Sequence, residues 1–502
     1  IKSYGLSQVV RAVLACDPEE ENPVLAAIAR FCGAAAFWQA CADAYGYKGA
    51  EDIDRLACHL LATACLNASD AAALPGLPAD ASRALPAYGF FVDWLRADRE
   101  GLMNLCQRVE ARFDIVSLLS RLSRDALLHM SMFPAADRLL LEGALTSFAE
   151  GRLNLDDTEA LLRARQDQPW AADYAPYYAA VRALTDMQRF CLAYRSGFHY
   201  TSLRDLWDAY CRDLYRMDQH YRSFCCMYDQ ALALGAMALE DALKAAADMA
   251  ERMYKNSYLD EINRTWTQLF AQQGLRELAA LPQQRHFYRD QIAKADSRVY
   301  VIISDGLRYE AAQSLSAQLT GRLGGNTECT GMVGTLPSVT PVGMAALLPH
   351  RRLEMDDSLK IRCDGRVTEA PDREAVLRAA CAESTALDYA AFRQCSKAQR
   401  GELVKGRKVV YIYHDTIDQT GEGGGNVPQA CETAVSELTQ LMRILVNELN
   451  ATSVLITSDH GFLYTRSPLA EYDKTGKELL SGELLEYKRR YAVVRGAQAL
   501  PH

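Results

Sequence analysis

The stretch VYVIISDGLRYEAAQSLSAQL, residues 299–319, decides the fold of the second half of this chain. Its first five residues are apolar and mostly β-branched, which predicts a buried strand. Residues 307–319 carry apolar side chains at helical spacing, so a helix is expected to follow. In open α/β sheets, ligands bind at the carboxyl ends of the strands, just before the next helix. Asp305, which lies between the strand and the helix, is therefore predicted to line a binding site.

Two later apolar runs end in charged residues in the same way. They are VVYIY, residues 409–413, and VLIT, residues 454–457. The side chains with metal-binding chemistry that follow these runs are His414, Asp415, Asp418, Asp459 and His460. Because parallel strands end at the same edge of a sheet, these groups are expected to meet Asp305 there. Aspartate and histidine together predict a divalent-metal site.

A candidate nucleophile lies in GTLPSVTPVGM, residues 334–344. A hydroxyl residue directly before Pro341 predicts a helix N-cap at Thr340, with Pro341 at the first helical position. The free N–H groups and the positive end of the helix dipole would then favour a phosphoryl oxygen at the Thr340 hydroxyl. Ser338 is the competing nucleophile, and a plain helix cap is the alternative interpretation. Thr340 is preferred because Pro341 fixes the helix start beside it.

Length and composition predict a globular protein of more than one domain. The chain has 502 residues, of which 49% are hydrophobic and 24% are charged. The formal net charge of −9 argues against binding nucleic acid through a broad positive surface, although a local basic groove is compatible with it. Residues 1–295 show helical periodicity almost throughout, which predicts an all-α region of one or two subdomains. The domain boundary is expected near Asp296.

Cysteine usage and hydropathy bear on the cellular compartment. The 15 cysteines form no Cys-x-x-Cys pair, which is typical of buried thiols in a reducing cytoplasm. No apolar run approaches the roughly 20 residues of a membrane-spanning helix. We therefore expect a cytoplasmic protein without membrane contact. The first residue is Ile1 and not Met, so the sequence is expected to be a fragment of a longer chain or only its ordered part.

In order and context, these motifs resemble the alkaline phosphatase superfamily and, within it, the PglZ family of bacterial BREX phage-defence systems in its type 1 form. The motifs that carry the resemblance are DGLRYE at 305–310, PSVTP at 337–341, YHDTID at 413–418 and TSDHGFLY at 457–464. They cover roughly the last two-fifths of the chain. The resemblance implies an α/β alkaline-phosphatase-like core over residues 296–502, truncated at its carboxyl end. This core would be a mostly parallel sheet flanked by helices, preceded by the large all-α region.

The resemblance also implies a first metal site and a nucleophile. Asp305, Asp459 and His460 would bind one divalent ion, with the Thr340 hydroxyl as its reactive ligand. Thr340 would attack the phosphorus, and water would then hydrolyse the phosphothreonine. Arg308 is the candidate phosphate contact. A paired helix residue is the alternative interpretation of Arg308.

A second divalent ion is implied with a less complete ligand set. His414 and Asp418 have the four-residue spacing of the superfamily in reversed order, and Asp415 is the rival carboxylate. The final histidine ligand would be His502 or a residue beyond it. Zn²⁺ is the expected metal at both sites, with Mn²⁺ or Mg²⁺ as alternatives.

The function implied is metal-dependent hydrolysis of a phosphoester in anti-phage defence. A nucleotide or nucleic-acid diester is the first choice of substrate, and a phosphatase acting on monoesters is the variant. The helical region, residues 1–295, would dock other BREX proteins. The alternative is a non-catalytic or weakly catalytic assembly subunit that keeps one metal for stability.

Overall fold

A computed structural model describes residues 5–16, 21–67, 74–323, 326–468, 482–488 and 491–496. The chain divides into two compact units. The first comprises Ile1–Arg189 and Met227–Ala250, and the second comprises Phe190–Cys226 and Glu251–His502.

Helices account for nearly all regular structure before residue 299. They are α1 Leu6–Leu14, α2 Pro23–Phe31, α3 Ala34–Tyr45, α4 Ile53–Cys65, α5 Ala84–Ala97, α6 Arg99–Arg112, α7 Ile115–Leu119, α8 Arg124–Leu128, α9 Pro134–Ala149, α10 Leu155–Arg165, α11 Ala175–Ala193, α12 Leu203–Ala209, α13 Tyr215–Ala233, α14 Met237–Tyr254 and α15 Asp260–Ala279. Shorter 3₁₀ turns lie at Ala81–Arg83 and Gln284–His286, and π-helical turns lie at Tyr210–Leu214, Lys255–Leu259 and Tyr288–Ile292. The predicted all-helical character of this half is confirmed.

Alternation of strands and helices begins at residue 299. The elements in chain order are β1 Val299–Ser304, α16 Tyr309–Leu323, α17 Thr340–Ala346, β2 Leu353–Met355, β3 Ile361–Cys363, β4 Arg366–Val367, α18 Arg373–Ala380, β5 Ser384–Asp388, α19 Tyr389–Gln394, α20 Lys397–Val404, β6 Val409–His414, α21 Thr416–Glu422, α22 Val427–Leu449, β7 Val454–Thr457, β8 Glu483–Tyr487 and β9 Ala492–Arg495. A further 3₁₀ turn precedes α18 at Ala370–Asp372.

The central sheet has four parallel strands in the order β5-β6-β1-β7. The strand β1 lies inside the sheet and all six of its residues are buried, which explains its unbroken apolar sequence. A small antiparallel sheet, β2-β3-β4, and a hairpin, β8-β9, accompany it. The predicted α/β core with a mostly parallel sheet is confirmed.

Helices cover both faces of the central sheet. On one face, Tyr300 and Ile302 of β1 join a hydrophobic cluster with α16 and α22. On the other face, Val301 and Ile303 join a cluster with α17 and α18. Because successive strand residues point to opposite faces, the single run at 299–303 supplies both cores.

The division into units differs from a single boundary near Asp296. Residues 190–226 and 251–295 belong to the second unit, together with the sheet. The reason is visible at Arg222, which is 2% exposed and whose Nε donates to both carboxylate oxygens of the fully buried Glu310 of α16. A buried guanidinium requires such a carboxylate, so these helices form part of the core.

In the part of the chain that the structure describes, no single helix is long and apolar enough to cross a membrane. The pair α2 and α3 meets the length and composition criteria jointly, but it is bent by 105°.

Candidate metal centre

The register of the central sheet brings the predicted site segments to one edge. Ser304 at the end of β1 pairs with His414 of β6, and Ile303 pairs with Thr457 of β7. The chain then continues from these strand ends into Asp305 on one side and into Asp459 on the other. Strand order and register, which are set by the apolar runs, therefore place these two carboxylates at the same edge.

Four oxygen-bearing side chains surround the Nε2 atom of His460. The Thr340 hydroxyl lies 3.2 Å away, and the nearest Asp305 oxygen lies 3.5 Å away. Carboxylate oxygens of Asp459 and Asp418 follow at 3.6 and 4.0 Å. Ligand atoms of Asp305, Asp418 and His460 all lie within 4.8 Å of one another. The chain thus brings together residues that are up to 155 positions apart, from Asp305 to His460.

Burial and like charge dominate the electrostatics of this cluster. Asp305 is 6% exposed, and burial raises the pKa of its carboxyl, with further raising by the charges of Asp459, Asp418 and Asp415. Burial also raises the pKa of Asp459. Several carboxylates packed this closely cannot all ionise without a compensating positive charge.

The donor set fits a divalent cation. With the neighbouring carboxyls ionised, the buried Oδ2 atom of Asp459 receives no hydrogen bond from the described residues, while Oδ1 accepts the Gly306 N–H at 3.1 Å. Such an orphaned carboxylate oxygen is costly unless a cation or proton satisfies it. Two ligands about 2.1 Å from a tetrahedral ion are about 3.4 Å apart. The spacings of 3.5 and 3.6 Å from His460 to Asp305 and Asp459 are close to that value.

The helix that carries Thr340 starts one residue earlier than the sequence predicted. Val339, with extended backbone angles, is the N-cap of α17, so Thr340 is the first helical residue and Pro341 the second. The Thr340 side chain is therefore not the cap. Its hydroxyl approaches His460 and lies 3.5 Å from an Asp305 oxygen.

His414 is not brought to the cluster as a second-site ligand. Its ring is 1% exposed, and both nitrogens have other partners. Nδ1 lies 3.0 Å from the Ser304 hydroxyl, and Nε2 lies 3.0 Å from a Glu437 carboxylate oxygen and 3.2 Å from the Thr416 hydroxyl. Burial lowers the pKa of His414, against the raising influence of Glu437. In this structure both nitrogens of His414 thus have protein partners, and its second-site role stays a prediction.

Arg308 is not a free phosphate contact either. It is 6% exposed and pairs with Asp218 at 3.2 Å and with Glu310 at 3.7 Å. Its guanidinium also lies over the ring of Phe462, 5.4 Å from the ring centre. Tyr210 and two other tyrosines donate hydrogen bonds to Asp218. The charge of Arg308 is balanced by the carboxylates of Asp218 and Glu310. The pairing with Glu310 agrees with the alternative interpretation of Arg308 as a paired helix residue, and its contact with a phosphate stays a prediction.

The two lower-ranked ligands have different outcomes. Asp415 is exposed at the start of α21, and its charge raises the pKa of Asp305, so it lies in the electrostatic neighbourhood of the cluster. Asp418 lies in the first turn of α21 and belongs to the cluster itself. His502 lies outside the described residues.

Two residues that contact the site segments were not predicted. Gly343 of α17 packs so close to the carbonyl oxygen of Asp459 that an added Cβ would overlap it. A glycine inside a predicted helix is a recognisable sign of such an approach. Gln284 is buried and bonded to the Asp459 carbonyl. No periodicity or motif distinguishes Gln284 from its neighbour Gln283.

The family model and the two curated relatives that match this chain are all described as alkaline phosphatase-like. Residues 284–501 match the family model described as the BREX system PglZ alkaline phosphatase-like domain. The "Alkaline phosphatase-like protein BrxZ" of Escherichia coli O9:H4 (strain HS) is 32% identical over 380 residues. The "Alkaline phosphatase-like protein PglZ" of Bacillus cereus (strain H3081.97) is 31% identical over 346 residues.

The extent of these matches differs between this chain and its relatives. They cover 71% and 66% of this chain but 43% and 39% of the two relatives. The chain thus spans about two-fifths of the length of the curated relatives it matches. Both alignments are longer than residues 284–501, so the similarity extends beyond the family domain.

Proposed function

We propose that this chain, whose residues 284–501 match the PglZ alkaline phosphatase-like domain, is a metal-dependent phosphoester hydrolase with Thr340 as nucleophile. The observation that carries the proposal is the arrangement around His460. One nucleophilic hydroxyl and three carboxylates approach one imidazole nitrogen, and with the neighbouring carboxyls ionised one buried carboxylate oxygen of Asp459 receives no hydrogen bond from the described residues. A purely structural polar cluster would be expected to satisfy that oxygen.

Asp305, Asp418, Asp459 and His460 are the residues that would hold a divalent ion. When bound, the ion supplies positive charge that stabilises a phosphoryl oxygen and lowers the pKa of a nearby hydroxyl. Oxygen donors with one imidazole suit Zn²⁺ or Mn²⁺, and Mg²⁺ is compatible with the carboxylates. The donors described above account for one ion, because His414 is bonded elsewhere.

The residues of this chain define the chemical steps. The Thr340 Oγ1 attacks phosphorus, forming an Oγ–P bond as the bond to the leaving oxygen breaks. The Asp305 oxygen that lies 3.5 Å from Oγ1 holds the hydroxyl beside the ion site. The hydroxyl proton passes to water as Oγ1 attacks, and water protonates the leaving oxygen. Water then cleaves the phosphothreonine, releasing phosphate or a phosphomonoester and restoring Thr340.

We propose a nucleotide or nucleic-acid diester as substrate and a role in BREX phage defence, which rests on the family. Two large apolar side chains are exposed beside the site segments. Leu336 precedes Thr340 by four residues and is 76% exposed, and Leu463 follows His460 by three and is 70% exposed. They are available to contact the organic part of an ester.

The decisive experiment measures hydrolysis of a chromogenic phosphodiester and a phosphomonoester by the wild type, Thr340→Ala and Ser338→Ala. Loss of the attacking oxygen is expected to lower kcat by at least about 10³-fold in Thr340→Ala. Metal content, measured by elemental analysis, should stay near the wild-type value in this variant and fall in Asp459→Ala. Ser338→Ala is expected to retain activity. Equal rates in wild type, Thr340→Ala and Asp459→Ala would refute the proposal.

A second function is favoured by the positions of His414 and Arg308. Both side chains are bonded to carboxylates, so neither a second ion nor a bound phosphate has them as partners. A non-catalytic assembly subunit with a single structural ion would have this arrangement. Phage-resistance assays separate the two: a Thr340→Ala strain that still resists phage, and an Asp459→Ala strain that does not, would favour the assembly role.

A further inference from the structure

The geometry points to Gln284 as a positioning residue that ties the segment leading to Thr340 to the turn that carries Asp459 and His460. This inference deepens the proposed function and rests on it for its catalytic meaning. The contacts themselves are independent of the reaction. Gln284 lies in the 3₁₀ turn Gln284–His286, between the helices and the first strand.

The carboxamide of Gln284 bonds to both segments at once. Its Nε2 donates to the carbonyl oxygens of Ser458 at 3.1 Å and Asp459 at 2.5 Å. Its Oε1 accepts the Thr335 N–H at 2.9 Å. The backbone N–H of Gln284 also donates to the Val333 carbonyl at 3.0 Å, so the approach to Thr340 is held by two bonds.

Glutamine is suited to this position by its chemistry. Its carboxamide has two donor hydrogens and one acceptor oxygen, and here both hydrogens have carbonyl partners. The side chain is 2% exposed, so water does not readily replace a lost bond. Leaving buried backbone groups of Thr335 and Asp459 unpaired would be unfavourable.

The Asp459 carbonyl is constrained from a second direction. Gly343 of α17 packs against the same oxygen, with no room for a side chain. Gln284 and α17 together therefore fix the backbone of Asp459, while its carboxylate faces His460. A change in the position of this backbone would move the Asp459 carboxylate relative to the Thr340 hydroxyl.

The test compares three variants of the full chain. Gln284→Met removes both kinds of bond at similar volume. Gln284→Glu keeps an acceptor for the Thr335 N–H but loses the donor to Ser458 and Asp459. Gln283→Ala is the matched control, because the Gln283 side chain donates to the carbonyls of Leu278 and Leu281 and not to the site.

Two measurements are made on each variant. Zn²⁺ affinity by chelator competition should fall about 10- to 100-fold in Gln284→Met and Gln284→Glu, as for other residues that orient metal ligands. Amide hydrogen exchange should increase at residues 458–461 in both variants, whereas the Thr335 amide should lose protection in Gln284→Met and keep it in Gln284→Glu. The control should match the wild type in both measurements.

The outcomes separate this inference from the proposed function. If the wild type binds Zn²⁺ but hydrolyses no phosphoester, the proposed function fails while the affinity and exchange results still decide the role of Gln284. Wild-type affinity and wild-type exchange at residues 458–461 in Gln284→Glu would overturn the inference. So would equal losses in Gln283→Ala. Uniformly increased exchange throughout both Gln284 variants would also overturn it, because it would show a general loss of stability.

Discussion

His414 and His460 lie at the same edge of the central sheet, near the ends of the two strands that flank β1. Their surroundings nevertheless differ. Both rings are buried, at 1% and 4% exposure, and both come from runs that end in Asp and His. His414 has both nitrogens bonded, to Ser304 on one side and to Glu437 and Thr416 on the other. The Nε2 of His460 instead faces Thr340 and three carboxylates that also face one another.

The two histidines are the same residue type and differ in which groups face their ring nitrogens, so we expect only His460 to offer a lone pair to a metal. The Glu437 carboxylate reaches His414 from α22 and bonds to its Nε2, while the Ser304 hydroxyl bonds to its Nδ1. Around His460, no lysine or arginine of the described residues pairs with the three carboxylates, so they are suited to a metal. Two similar motifs at one edge thus have different chemistry because of what packs beside them.

The largest expected effect tests the two histidines directly. His460→Gln should weaken Zn²⁺ binding by at least about 100-fold, because the central nitrogen ligand is lost. His414→Gln should leave the affinity within about twofold, while losing about 1–3 kcal/mol of unfolding free energy from its buried partners. Chelator competition and denaturant unfolding measure the two quantities. Equal losses of affinity would show that both histidines bind metal.

A smaller effect is the pH dependence of stability, which tests whether the carboxylates around His460 lack a compensating charge in the metal-free protein. The pKa of Asp305 is raised by burial and by neighbouring carboxylates, so ionising it costs folding free energy in the metal-free protein. Because the pKa of Asp305 is higher in the folded than in the unfolded protein, the protonated carboxyl contributes stability that is fully present when the pH is below the ordinary carboxyl pKa. That stability is lost as the pH rises through the raised value.

The corresponding measurement is thermal unfolding of metal-free protein from pH 5 to 9. Wild type is expected to lose stability more steeply with pH than Asp305→Asn, which cannot ionise. Added Zn²⁺ should restore the stability of the wild type, and more so at higher pH, because the metal replaces a proton on the carboxyl. The Zn²⁺ affinity should rise by up to about tenfold per pH unit. Identical pH slopes for wild type and Asp305→Asn would contradict this account.

The smallest expected effect tests how tightly the Asp459 turn, the segment that carries Asp459 and His460, is packed. Gly343→Ala places a Cβ on the Asp459 carbonyl and should cost about 1–3 kcal/mol by overpacking. Gly321→Ala is the control, because Gly321 lies in α16 with nothing within 4 Å of an added Cβ. It should be neutral or stabilise the helix by up to about 1 kcal/mol. Similar unfolding free energies for both variants would show that the Asp459 turn tolerates displacement.

Much of the fold and part of the site followed from local sequence. The run at 299–303 predicted a buried strand, and its β-branched residues do line both faces of the sheet. The placement of Asp305, Asp418, Asp459 and His460 near Thr340 agrees with the predicted meeting of strand ends. Their roles in metal binding and catalysis remain predictions.

The sequence by itself determined the parallel sheet and the edge at which charged residues collect, because apolar periodicity and strand direction are local properties of the chain. Only the tertiary structure decided which of those residues are free to act. His414 is bonded to Glu437, 23 positions away, and Arg308 is paired with Asp218, 90 positions earlier. Gln284 bonds across 175 positions to Asp459. Such partners come from distant segments, so no local pattern around a motif reveals whether its side chain is already satisfied.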